Sequence, residues 1–186
     1  MGVFYTGKGD KGKSFVGKLK IDKTSDSIEA LGDLDELNSL LGVVGSSAFA
    51  KASADRLVFN KIIGDVQENL FIIQANAAGF MQPKFRPPEF KESKIKELEN
   101  LIDDFEREIK PALKFIVPGT TKESAWLDYA RAVSRRVERS VIRHSKRHSL
   151  NPSILSYMNR LSSLFFAMAR MVVVKNKKKE RYPRYK

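Results

Sequence analysis

Between Ser25 and Lys175 apolar side chains return at three- and four-residue steps, and each break in that rhythm carries a proline or a glycine. That period belongs to an α-helix with one side against a core. A first helix opens at a Ser25/Asp26 cap, with Ile28, Leu31, Leu34, Leu37 or Asn38, Leu41 and Val44 inward. A second runs from about Ala54 to Gly79, its inner stripe being Leu57, Ile62, Val66, Leu70, Ile73 and Ala77. The three prolines of MQPKFRPPEF end it, and a third helix covers Lys91 to Ile109. A short extended stretch, PALKFIVPG, leads to a fourth helix, which starts near Thr121–Ser124 and reaches about Ser149. Asn151-Pro152 breaks it, and a fifth helix continues to about Lys175. No segment alternates as a strand would, so the expected class is all-α, a five-helix bundle with short connections.

The flanks differ from this body. Residues 1–24 read as an irregular arm holding Gly7, Gly9, Gly12 and Gly17 with Lys8, Lys11, Lys13 and Lys18 between them. Residues 25–175 form the bundle, and residues 176–186 read as a mobile basic tail. The chain has no cysteine, no apolar leader and no apolar run approaching roughly 18 residues. It is expected to be soluble and cytoplasmic, with no membrane partner. The net charge of +12 asks for an anionic partner, and the last twelve residues supply half of it, seven cations against Glu180.

Two segments carry candidate chemistry. The string Thr6-Gly-Lys-Gly-Asp-Lys-Gly-Lys-Ser14 has glycines that let backbone N–H groups approach oxygen anions, lysines for charge and hydroxyls at both ends. It lacks the strand–loop–helix setting of a Walker A or dinucleotide motif. It reads equally as a flexible basic terminus. The fourth helix places Arg131, Arg135, Glu138 and Ile142 on one strip, opposite Ala130, Val133, Val137 and Val141. Such a strip is either a solvated face with local ion pairs or a phosphate-binding face whose glutamate holds ribose hydroxyls or an arginine. Asp35 falls on or beside the first helix's apolar stripe and needs a cation, for which Arg131 or Arg135 of the same or a neighbouring chain is the candidate. Asn159 heads the fifth helix's apolar run, where it reads a base or sugar edge or caps a carbonyl. His144 and His148 are too few for most metal sites, and no metal-ligand set is assigned.

The blocks YTGKGDKG, EALGDLDELNSLLG, FIVPG, ARAVSRRVER and YMNRLSSLFFAMAR, in this order, resemble the PduO-type ATP:corrinoid adenosyltransferases over nearly the whole chain. The resemblance implies a ferritin-like five-helix bundle, assembled as a homotrimer with ATP between subunits. It implies transfer of the 5′-deoxyadenosyl group of ATP to the Co(I) of a corrinoid, with Mg²⁺ at the triphosphate. By position, Thr6, Gly7, Lys8, Gly9, Asp10, Lys11 and Ser14 would wrap the triphosphate, and Lys23 would add a phosphate contact. Arg135, Arg136, Glu138, Arg139 and Asn159 would hold the nucleotide. Asp35 and Arg131 match an intersubunit ion pair, and Phe115 matches the aromatic that displaces the corrin's lower ligand. A reductase and an acceptor enzyme would be partners. The chain departs from the pattern at Thr120 for a second glycine, Asp128 for histidine, Ser163 for aspartate and Ser27 for arginine. A nucleic-acid binder would also be basic, but that reading explains neither the glycine pattern nor Asp35.

Overall fold

The computed structural model describes residues 4–16, 19–47, 54–81 and 84–185; Gly17, Lys18, Pro83 and Lys186 of the segments above lie outside them. It is built on five helices: α1 (Asp26–Ser47), α2 (Ala54–Ala78), α3 (Ser93–Ile109), α4 (Lys122–Ser145) and α5 (Pro152–Lys175). A short 3-10 turn, Gly79–Met81, follows α2. The expected class is correct.

The helix ends follow from local chemistry. Ser25 caps α1, its Oγ accepting from the Ile28 N–H at 3.4 Å, and Asp26 and Glu29 face the positive end of the helix dipole. Lys110 closes α3 in a left-handed conformation, φ +49°, its N–H bonded to the Glu106 carbonyl. Thr121 and Ser124 make a reciprocal capping box at the start of α4. Asn151 caps α5, with Pro152 in the first turn, where no N–H is required.

α5 is the most deeply buried helix. It packs on α4 and on α3, while α1 packs on α4 and on α2. Leu161, Leu164, Phe165, Met168, Ala169 and Met171 of α5 are essentially inaccessible. Each large one contributes about 1.5–3 kcal/mol through burial. Opposite them stand Leu34, Leu37 and Leu41 of α1 and Leu127, Val133 and Val137 of α4.

Three expectations need correction. Lys13–Val16 (β1) and Leu19–Asp22 (β2) pair antiparallel, Lys13 opposite Asp22, so the N-terminal arm contains a hairpin. The alternation Ser-Phe-Val and Leu-Lys-Ile around a Gly-Lys pair is a short-hairpin pattern, masked by the surrounding glycines and lysines. Leu57 is 74% exposed. The buried stripe runs back from Ile62 and Ile63 to Phe59, and Leu57 lies about 140° around the helix from Ile62. The C-terminal tail does not leave the bundle: the Arg181 carbonyl accepts from the Val117 N–H at 2.8 Å.

Candidate functional site

The hairpin holds the arm in place. Lys13 and Asp22 form an ion pair at 2.7 Å. Hydrogen bonds from Lys13 and then Thr24 hold the Asp22 carboxyl well below the usual carboxylate range. Before β1 the chain turns at Gly7 and Gly12, whose φ of +67° and +71° suit glycine. Local bonds close the loop: Lys8 N–H to Thr6 Oγ1 at 3.4 Å, Gly12 N–H to the Gly9 carbonyl at 3.2 Å, and Lys23 N–H to the Gly12 carbonyl at 3.0 Å. A Cβ on Gly9 would lie 3.0 Å from Lys23 Nζ, so this ammonium is seated against the loop. Lys8, Lys11 and Lys23 have no carboxylate partner among the described residues, while Thr6 and Asp10 add oxygens to the same loop and Ser14 adds a hydroxyl at the start of β1. The result is a cationic loop with hydroxyls and one carboxylate, suited to a polyphosphate.

The α4 arginines divide into two groups. Arg136 reaches α1, with Nη1 at 2.5 Å from Asp33 and Nη2 at 2.5 Å from Glu36. Hydrogen bonding to Glu36, then the charge of Asp33, raises its pKa further. Within the chain Arg136 therefore serves the α1–α4 bridge with two of its five N–H donors, a scaffold contact beside its expected place at the nucleotide. Arg135 and Arg139 are exposed and Arg131 is half-buried, and none has a carboxylate partner among the described residues.

Asp35 also needs correction, because it is exposed and the carboxylate at the buried face of α1 is Asp33. Asp33 lies one turn from Leu37 and so shares the edge of its stripe, whereas Asp35 is about 100° past Leu34. Asp35 meets neither Arg131 nor Arg135 within the chain.

The fold brings Glu138 and Asn159 together. Asn159 Nδ2 donates to Glu138 Oε1 at 2.8 Å. Arg160 Nη1 donates to Asn159 Oδ1 at 2.8 Å, and Arg160 Nε donates to Glu99 Oε1 at 3.1 Å. A polar rail thus joins α4, α5 and α3. Arg160 and Glu99 were missed, since no one-helix pattern links residues 61 positions apart.

A cleft of about 280 Å³ opens beside this rail, walled by Ile102, Ile109, Arg131, Ser163, Phe166 and Arg170. Phe115 is not in its wall; it stands 80% exposed on the 111–119 connection. Below the cleft lies a buried ion cluster that sequence reasoning missed. Arg170 is 3% exposed and pairs with Asp128 at 2.7 Å and with Glu180 at 3.1 Å. Only the departure at Asp128 hinted at it.

Among the described residues no group of three or more His, Asp and Glu is placed to hold a metal, and no helix is long and apolar enough to cross a membrane. His144 is buried, its Nδ1 3.1 Å from Ser27 Oγ, and Phe80 stacks on His148 at 3.7 Å. Burial, then the charge of His148, pushes the His144 pKa down. This pair belongs to the packing of α1, α4 and the 3-10 turn.

Residues 4–172 match the family described as cobalamin adenosyltransferase. A corrinoid adenosyltransferase of Bacillus subtilis (strain 168) is 33% identical over 173 residues, spanning 90% of this chain and 85% of that protein. The human corrinoid adenosyltransferase MMAB is 30% identical over 179 residues, 95% of this chain and 71% of that protein. A phenylalanine-to-alanine variant of a PduO-type ATP:corrinoid adenosyltransferase from Lactobacillus reuteri, solved with cobalamin and ATP, superposes with a TM-score of 0.88. It is 28% identical and covers 97% of this chain and 99% of its own.

Proposed function

The chain belongs to the cobalamin adenosyltransferase family, and on that premise we propose that it moves the 5′-deoxyadenosyl group of ATP to the Co(I) of a corrinoid, releasing triphosphate. The observation that carries this reading is the cationic Gly7–Gly12 loop with Lys23 seated against it, in a chain that superposes over 97% of its length on a relative solved with ATP and cobalamin.

In the reaction the Co(I) electron pair attacks C5′, a Co–C bond forms, and the C5′–O bond breaks with its electrons leaving on triphosphate. No proton need move, so the absence of a His or Cys nucleophile in the loop fits. The protein's work is placement and charge. Lys8, Lys11 and Lys23 meet the triphosphate, and exposed Arg135 and Arg139 approach it from α4. The Glu138–Asn159 pair offers one carboxylate and one amide to the ribose and base. Mg²⁺ suits this loop: it keeps most of its coordination for phosphate and water and needs one or two hard oxygens, which Asp10, Thr6 and Ser14 supply. Bound there, it would offset charge on the triphosphate.

Asp35 and Arg131 are read as partners across subunits of a homotrimer. Support comes from their lack of an ion-pair partner among the described residues and from Arg131's place in the cleft wall. Arg131 would then be positioned by a neighbouring carboxylate. Phe115 is read as the residue that displaces the lower axial ligand of the corrinoid, which makes Co(II) easier to reduce. A reductase must supply the electron, an acceptor enzyme takes the product, and the cysteine-free chain suits the cytoplasm. The test is incubation with ATP, Mg²⁺ and chemically reduced cobalamin. A light-sensitive Co–C product above the no-enzyme control is expected, and its absence would overturn the assignment.

A further inference from the structure

The segment that carries Phe115 has no regular structure of its own. One end is fixed at Lys110, the left-handed close of α3. The other end meets the C-terminal tail through Lys114, Val117, Pro118, Gly119 and Thr120. Lys114 Nζ lies 5.6 Å over the Tyr182 ring, and the Val117 N–H donates to the Arg181 carbonyl at 2.8 Å. Arg181 Nη2 donates to the Pro118 carbonyl at 3.0 Å, and Thr120 Oγ1 donates to Glu180 Oε2 at 3.1 Å. Gly119, with φ +87°, donates its N–H to Asp128 Oδ2 at 3.4 Å.

What holds the tail there is the buried ion cluster. Arg170 Nη2 lies 2.8 and 2.7 Å from the two Asp128 oxygens, and its Nη1 lies 3.1 Å from Glu180 Oε2. Asp128 and Arg170 are about 95% or more buried, and Glu180 is 15% exposed. Charges buried to this degree are held only when paired, so detaching Glu180 leaves Arg170 with one carboxylate fewer. Glu180 is also the one acid among the seven cations of the last twelve residues. Asp128 and Thr120, two of the four positions where the chain departs from the pattern it resembles, both belong to this cluster.

We propose that Glu180, acting through Arg170, Asp128 and Thr120, is a positioning residue that straps the tail over the 114–120 turn and so sets where Phe115 stands. The inference rests on the reading of Phe115 given above. Without the strap the turn keeps its Lys110 end and loses the contacts that define the other. Phe115 would then sample positions in which it cannot hold the lower ligand off cobalt.

The test uses the full chain with ATP and Co(II) cobalamin, reading by visible absorbance and electron paramagnetic resonance the fraction of cobalt without its lower axial ligand. Glu180→Ala is expected to lower the ligand-off to ligand-on ratio about tenfold, the scale of one charge-assisted hydrogen bond. The KM for ATP should stay within about twofold, because an intact nucleotide loop makes the same contacts whatever the turn does. Thr120→Val, which cuts the same link from the half-buried turn side, should act in the same direction and add little to Glu180→Ala. It also serves alone if Glu180→Ala does not fold. A changed spectrum in Phe115→Ala with unchanged spectra in both strap variants would overturn the strap alone. Unchanged spectra in all three would overturn the Phe115 reading with it, and a strap effect without a Phe115 effect would show that the tail does not act through this residue.

Discussion

Asn159 of α5 donates to Glu138 of α4 at 2.8 Å, and its amide oxygen is held at 2.8 Å by Arg160. Both ends of the amide are therefore fixed, so its orientation is defined by the rail. Glu138→Gln or Asn159→Ala should raise the KM for ATP about tenfold, the cost of one charge-assisted contact, with little change in melting temperature. Steady-state kinetics with varied ATP check this; an unchanged KM would remove the pair from the nucleotide site.

Arg160 and Glu99 should act through Asn159. Glu99→Gln loses a pair of half-exposed groups, so its effect on stability is expected to be about 0–1 kcal/mol. Any rise in the KM for ATP should vanish in an Asn159→Ala background. A double-mutant cycle gives the answer.

Replacing Arg136 separates scaffold from site. Arg136→Met breaks the bridge to Asp33 and Glu36 and leaves Asp33, 12% exposed, without its cation. A loss of roughly 1–3 kcal/mol in unfolding free energy is expected, with ATP kinetics of the folded protein nearly unchanged. Arg135→Met should do the reverse, with no loss of stability and a marked fall in kcat/KM.

Stability should fall on acidification through His144. Its folded pKa lies below the ordinary 6.5, so the unfolded chain binds this proton first. The contribution is complete above about pH 7, declines as pH drops through 6.5, and keeps declining until the folded value is reached. His148 and Asp26 are the charged neighbours, and they act in opposite directions. His144→Gln should lose less in melting temperature between pH 7.5 and pH 5.5 than the parent chain, since carboxylate titration is common to both.

How much was legible follows from how far each signal reaches along the chain. The five helices could be read because their apolar steps are local, and α4's buried side, Ala130, Val133, Val137 and Val141, is the one expected. Glu138 stood out on the α4 strip and Asn159 ahead of the α5 apolar run, and the fold brings them into contact. Asp35 was mistaken for the buried carboxylate because Asp33 and Asp35 flank the same leucine, and the two-residue step between them turns the helix by about 200°. Arg136 looked like a free arginine since its partners lie 103 and 100 positions away on α1. The tail looked free because its composition is basic, while its acid, Glu180, pairs with a buried arginine ten positions back and with a turn 60 positions away. No periodicity encodes such a contact.

The central claim is adenosyl transfer with triphosphate as the leaving group, and its direct measurement is a phosphorus count. Chemically reduced cobalamin, ATP and Mg²⁺ are mixed with the protein, and loss of Co(I) absorbance is followed beside ³¹P spectra of the products. One intact triphosphate per Co(I) consumed is the expected result. Co(I) consumption without triphosphate, or ATP broken to ADP and phosphate at an equal rate with and without cobalamin, would contradict it.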